Sequence, residues 1–205
     1  MKILELAQGS PPWLEWRYDG VGASDIASII GVSPFKDATR EDVMREKVTR
    51  QGREASYAMR RGNRLEPTAR AAYQRETPSV VKVCCVQHEL YPWAIASLDG
   101  LCHYLHGDER NKWVLELKCP NHKVHALALD GEVVSYYRPQ IQWQLFCANV
   151  TFADFVSYSE HSKFAEGDRL AVVPVKRDEE VIGPLVNAAA EFWMEVLDQR
   201  DKVQS

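Results

Sequence analysis

Apolar residues change their spacing several times along the chain, and each change marks an element. Residues 23–31 (Ala-Ser-Asp-Ile-Ala-Ser-Ile-Ile-Gly) carry a short helical pattern, with Ser24 placed to cap it and Gly31 to close it. Helical spacing resumes over 39–50 and again over 54–75, where Leu65, Ala69, Ala72 and Tyr73 recur at three- and four-residue intervals. Pro67 lies inside that second stretch. Because proline lacks the amide proton of the helical ladder, a break or a new helix start is expected near Glu66.

The period then shortens. Residues 80–89 are rich in β-branched side chains, Tyr91-Pro92 marks a turn, and 93–99 and 112–118 predict two further strands. Gly100 is expected to open a turn, with the polar segment 103–111 as a connection. Residues 121–130 and 138–149 are helical in pattern, and 152–159 and 170–176 are extended. A closing amphipathic helix places Val181, Leu185, Ala188, Ala189, Phe192 and Val196 on one stripe. Helices, a three-stranded meander, helices, two strands and a helix predict an α/β fold, a mixed central β-sheet flanked by helices. No repeat or linker interrupts the chain, so one domain is expected over 1–205.

Composition narrows the picture. With 45% hydrophobic and 26% charged residues among 205, the chain can bury a core of ordinary size. No apolar run is long enough to span a membrane. Glu5 stands where a signal peptide would be apolar, so a cytoplasmic protein is expected. Cys84, Cys85, Cys102, Cys119 and Cys147 include no CxxC pair and point to reduced thiols. Zinc at Cys119, His122, Cys102 and His103 would lack the usual paired spacings. The net charge of −4 argues mildly against a nucleic-acid partner. Yet Arg45, Lys47, Arg50, Arg53, Arg60, Arg61, Arg64, Arg70 and Arg75 crowd one stretch, either as a solvated helical face or as a local basic surface.

Chemistry concentrates in Trp113-Val114-Leu115-Glu116-Leu117-Lys118. In a strand, alternation turns Trp113, Leu115 and Leu117 one way and Val114, Glu116 and Lys118 the other. An acid and an amine in an otherwise apolar strand are costly to bury unless they pair or bind something; on an edge strand they would form an exposed salt bridge. Asp99, at the end of Ala96-Ser97-Leu98-Asp99-Gly100, can meet Glu116 if the two strands pair. Two converging carboxylates suit Mg²⁺, and a lysine beside them can act on a water. Acid, long gap, then Glu-x-Lys is the pattern of PD-(D/E)xK nucleases, which implies a restriction-endonuclease-like core.

Five blocks in order carry a wider resemblance: Trp13 to Arg17 with Gly22-Ala23-Ser24; Gly62 with Glu66; Ser97-Leu98-Asp99-Gly100; Leu115-Glu116-Leu117-Lys118-Cys119-Pro120; and Gln140-Ile141-Gln142. From Trp13 to about Asn149 the chain resembles the lambda exonuclease and YqaJ-like alkaline exonuclease family of phages and prophages. That resemblance implies Mg²⁺, with Mn²⁺ able to substitute, held by Asp99, Glu116 and the Leu117 carbonyl. It implies that Lys118 acts on the attacking water, that Glu66 reaches a metal or its water, and that Gln140 orients Lys118 or the water. Arg17 and Ser24 would grip a DNA 5′-phosphate, which suits a guanidinium and a hydroxyl beside a helix N-terminus. It further implies 5′-to-3′ degradation of one strand at double-stranded DNA ends, leaving 3′ single strands for recombination, with a homotrimer and a single-strand annealing protein as partners.

Each side chain also has a structural use. Ser24 can be an N-cap, Arg17 a surface ion pair and Glu66 first-turn charge, while Gln142 or Gln144 can stand in for Gln140. Trp143 and Phe146 are expected in the core rather than against bases. Leu98 replaces the proline the family usually has before its aspartate, so the strand is expected to run on further there, and the gap from Asp99 to Glu116 is long. Glu89 is a further acid without a place. An endonuclease of restriction or repair type would share the Asp99, Glu116 and Lys118 centre but would not need Arg17 and Ser24. A catalytically silent DNA-binding or assembly module would not need the acids.

Overall fold

The computed structural model describes every residue except Asp37, Arg53, Glu109 and Ser205. Arg53 of the basic stretch and Glu109 of the polar connection therefore lie outside the described residues. Strands β1 (Lys2–Leu4), β2 (Val21–Gly22), β3 (Ser79–Gln87), β4 (Ala94–Tyr104), β5 (Trp113–Lys118), β6 (Phe152–Tyr158) and β7 (Leu170–Lys176) share one sheet in the order β1-β3-β4-β5-β6-β7, with β2 added beside β4. Within that order only β5 and β6 run parallel. A parallel pair needs a long crossover, and here it carries α5 (His122–Leu129) and α6 (Arg138–Ala148).

The alternation expected of β5 holds. Trp113, Leu115 and Leu117 pack with Cys102, Val156 and Tyr158 under Ala69, Ala72 and Tyr73 of α4 (Tyr57–Glu76). Val114 faces the larger core, built with α2 (Ile26–Ile29), α3 (Arg40–Thr49), α6 and α7 (Glu179–Gln204). Trp143 and Phe146 of α6 belong to that core, as expected. The buried stripe of α7 is Ile182, Leu185, Ala189, Phe192, Trp193 and Val196; Val181 falls one position off it and is exposed.

Three local expectations fail for identifiable reasons. Helix α4 runs unbroken through Pro67. Leu65 on one side of the proline and Ala69, Ala72 and Tyr73 on the other are all buried, while Pro67 and Asn63 are exposed, so water can replace the missing bond. Ser24 is not an N-cap. It sits inside a 3-10 turn (Ala23–Asp25) tied by the Gly22 N–H donating to Asp25 Oδ2 at 2.9 Å. Gly31 does close the segment, with φ +73°. Gly100 opens no turn, because β4 continues to Tyr104, as the Leu98 substitution foreshadows.

The register explains how β4 passes this point. Lys82 faces Leu101 and Cys84 faces Leu98, so Val83 alone opposes both Asp99 and Gly100. Such a bulge re-aims the side chain it carries, and here that side chain is Asp99. Glycine is required beside it: a Cβ on Gly100 would lie 2.5 Å from Val81 Cγ1 and 3.1 Å from Leu115 Cβ. Gly100→Ala should therefore cost roughly 1–3 kcal/mol of stability, as overpacking of a core does. Urea denaturation measures this, and an unchanged midpoint would show that the strands can part there without cost.

Candidate active site

The last residue pair of the β4–β5 ladder is Gly100 with Leu115. Beyond it the strands separate, and the Asp99 carboxylate takes over: the Leu117 N–H donates to Asp99 Oδ2 at 2.8 Å. The side chain of Leu117 lies in the core under α4, so only its backbone belongs to the site. Arg70 Nε donates to the Asp99 carbonyl at 3.3 Å, and the Arg70 guanidinium also pairs with Glu66 one turn earlier on α4.

Glu116 is 1% exposed. Gln140 Nε2 donates to its Oε1 and Gln144 Nε2 to its Oε2, each at 2.5 Å. The two glutamines are four apart on α6 and so share one face of that helix. The Lys118 ammonium pairs with Glu116 Oε1 and lies 5.4 Å from the centre of the Tyr137 ring. Burial first, and then the neighbouring charge of Glu116, push the Asp99 carboxyl well above the ordinary carboxylate range, with Glu66 adding to the effect. Burial alone would pull Lys118 down, but attraction to Glu116 and Asp99 outweighs it and holds the amine charged. Two crowded carboxylates thus share one ammonium, which leaves room for a further cation. Among the described residues no three His, Cys, Asp or Glu side chains converge as a closed metal cage. The donors present are oxygens, and an ion that fills its shell with carbonyls and water fits them better than zinc does. The cysteine alternative is not assembled: Cys102 is buried under α4, whereas the His122 ring meets the His161 ring.

A second cluster forms where α1 (Pro11–Tyr18) meets the 3-10 turn. Arg17 Nη2 donates to Ser24 Oγ at 3.2 Å and to Asp25 Oδ1 at 3.1 Å. Lys47 Nζ, fully buried, contacts Asp25 Oδ2 at 2.8 Å and donates to the Arg17 carbonyl at 2.7 Å. Burial opposes charge on Asp25, but Lys47 and Arg17 overcome it and hold the carboxyl at about 2. Burial pulls the Lys47 amine down while Asp25 draws it up; Arg17 is thus an ion pair, as one expectation had it, and one of two basic groups on a single acid. Its guanidinium also lies 5.0 Å from the Trp13 ring, and Trp13 is anchored by Nε1 donating to Ser97 Oγ at 2.8 Å.

Both clusters open into one cleft of about 800 Å³, lined by Arg17, Ser24, Glu66, Asp99, Leu117, Lys118 and Gln140 among others. Glu116 lies beneath this lining. Gln142 does not share it; its amide donates to the Lys176 carbonyl and accepts from the Asp178 N–H, which ties α6 to the chain before α7. Glu89 sits in the β3–β4 connection, exposed and paired with the Met1 amine. Asp25, Lys47 and Tyr137 escape sequence reasoning. Lys47 had a legible signal, since it follows Val43 by four residues on the buried face of α3.

Residues 12–151 match the YqaJ-like viral recombinase domain. In fold the chain is similar to LHK-Exo, an alkaline exonuclease from Laribacter hongkongensis. The TM-score is 0.78, and 0.79 for its complex with dAMP, with 28% identity over 95% of this chain and 96% of that one. A phage related exonuclease from Haemophilus somnus 129PT shares the fold at a TM-score of 0.62, with 17% identity over 88% of this chain and 96% of its own. No curated protein matches the chain.

Removing Lys47 leaves the buried Asp25 with Arg17 as its one remaining cation and takes the donor from the Arg17 carbonyl. Lys47→Met should destabilise the protein by roughly 1–3 kcal/mol at neutral pH, and adding Asp25→Asn should recover part of that loss. Because Asp25 titrates at about 2 when folded, below its unfolded value, its contribution is present above the unfolded pKa and is lost as pH falls through the folded one. Chemical denaturation of single and double variants reads the coupling, and a Lys47→Met protein as stable as the parent would refute it.

Proposed function

Since the chain belongs to the YqaJ-like viral recombinase family, we propose that it is a Mg²⁺-dependent exonuclease that degrades one strand of linear double-stranded DNA from the 5′ end. One observation carries this reading: Asp99 and Lys118, backed by the buried Glu116, and a positively charged grip suited to phosphate open into the same cleft from different elements. The first is a hydrolytic centre and the second recognises an end, which an endonuclease would not need. The likeness to LHK-Exo, which was crystallised in complex with dAMP, supports a cleft that accepts a nucleoside monophosphate.

Asp99, Glu116 and the Leu117 carbonyl would hold Mg²⁺, or Mn²⁺ in its place. When bound, the ion supplies Lewis acidity toward the phosphoryl oxygens and the water. The rest is work for the protein's own groups. Lys118, held by Glu116 and flanked by Tyr137, presents an ammonium to the attacking water and to negative charge gathering on the phosphoryl oxygens. Gln140 serves it indirectly, by fixing the Glu116 oxygen on which Lys118 rests. Glu66 is held by Arg70 at the cleft wall, where it would serve a bound metal or its water. The Arg17 N–H groups that Ser24 and Asp25 leave unused are available to the terminal 5′-phosphate. The product strand then ends as a 3′ overhang, the substrate of a single-strand annealing protein, and a homotrimer around the duplex completes the proposal.

Asp99→Asn tests the centre most cleanly, because an amide oxygen can still accept the Leu117 N–H while the crowded charge is gone. Nucleotide release from linear duplex should fall at least about a hundredfold, with the metal-free melting temperature equal to or above the parent's. Activity retained in this variant would refute the assignment. Glu116→Gln is less clean, since its amide nitrogen would face donors.

End recognition has its own test. A charge-assisted contact to phosphate contributes roughly 1.5–3 kcal/mol, about ten- to a hundredfold in rate. The protein should prefer 5′-phosphorylated over 5′-hydroxyl ends by that factor, and Arg17→Ala should lose the preference. Equal initial rates on the two substrates would remove the role, and efficient cutting of closed circular duplex would favour an endonuclease.

A further inference from the structure

The arginine-rich stretch separates into two groups once its partners are known. Arg45 pairs with Asp42, Lys47 with Asp25, Arg50 with Glu15 and Asp19, and Arg70 with Glu66. Those charges are matched by acids. Among the described residues Arg60 and Arg61 are not: Arg60 donates to the Ala55 carbonyl, and Arg61 to the carbonyls of Cys119 and Pro120 at 2.7 and 3.3 Å. Neutral acceptors orient a guanidinium without cancelling its charge. Arg64 is exposed and has no acidic partner among the described residues.

These three cations fall on the first turns of α4, and residues 55–65 contain no acid. The same turns border the cleft, which is lined by Arg61, Gly62 and Asn63. Gly62 has nothing within 4 Å of where a Cβ would stand, so the helix surface is open between the arginines and a polymer backbone can approach it closely. We infer that the start of α4 is a track for the phosphodiester backbone of duplex DNA, with Arg60, Arg61 and Arg64 facing phosphates beyond the terminal nucleotide. The inference rests on the exonuclease reading of the cleft. It selects nucleic acid over an acidic protein because the same turns line the cleft that also holds the Arg17 grip. A row of unneutralised guanidiniums suits a repeating phosphate chain.

Binding without cleavage tests it separately from catalysis. The affinity for a 5′-phosphorylated duplex of about two helical turns is followed by fluorescence anisotropy in EDTA across a series of salt concentrations. Each phosphate contact contributes about 0.9 to the slope of log affinity against log salt, so Arg60→Ala/Arg64→Ala should flatten the slope by about two units. Arg45→Ala, which removes an exposed but acid-paired cation, should leave the slope where it was. A double variant no flatter than Arg45→Ala, or a parent protein that does not bind duplex, would overturn the inference. Polyglutamate that competes as well as duplex at equal charge, and loses its effect in the same variant, would overturn the choice of DNA. A parent protein that binds with the expected slopes yet releases no nucleotide with Mg²⁺ would fail the nuclease reading and leave the track standing.

Discussion

Glu116 is a charge buried in the middle of a sheet, and much of the surrounding architecture answers to that. An isolated carboxylate at such a depth costs several kcal/mol or more unless its oxygens are satisfied. Satisfaction comes from two amides on one face of α6 and an ammonium two residues along the same strand. Helix α6 must therefore cross β5 in a defined rotation, and the crossover between parallel β5 and β6 delivers it there. Trp143 locks that rotation, with Nε1 shared between the carbonyls of Val21 and Ile95 at 3.2 Å each. The helix that grips Glu116 is thereby tied to the paired strands β2 and β4, the first leading into the turn that holds Ser24 and Asp25 and the second carrying Asp99.

The β4 bulge is the complementary device. Without it, strict alternation would continue through Asp99, and the ladder to β5 would end without a carboxylate above Leu117. One extra residue opposite Val83 breaks the alternation, and Gly100 alone can sit where β3 and β5 press from both sides. The separation of the strands then frees the Leu117 N–H for Asp99. A local irregularity and a buried charge, each costly alone, compensate each other at the same end of the sheet.

Charge is distributed unevenly over the cleft. One end holds crowded carboxylates around a single ammonium; the other holds two basic groups around a single acid. A phosphate with its attendant cation suits that polarity. The chain's net charge of −4 is compatible with it because part of the arginine-rich stretch is paired with acids, while Arg60, Arg61 and Arg64 stand unmatched among the described residues on the turns that border the cleft.

Periodicity alone decided most elements from residue 23 onward, though not β1, α1 or β2; it also decided the alternation of β5, the core roles of Trp143 and Phe146, and the strand carrying Glu116 and Lys118, because each depends on which residues neighbour one another along the chain. Tertiary structure decided the rest. Pro67 stays inside α4 because the sheet holds the helix on both sides of it. Ser24 is left uncapping because Asp25 ties the turn. Gln140 and Gln144 both serve the site while Gln142, between them, faces away, an outcome of how α6 is rotated against β5. Asp25 and Lys47 meet across 22 residues of chain, and nothing local marks the pairing. Local propensity and alternation are properties of near neighbours, and a sequence displays them directly; the partner of a buried charge is chosen by the packing of distant segments, which exists only once the chain has folded.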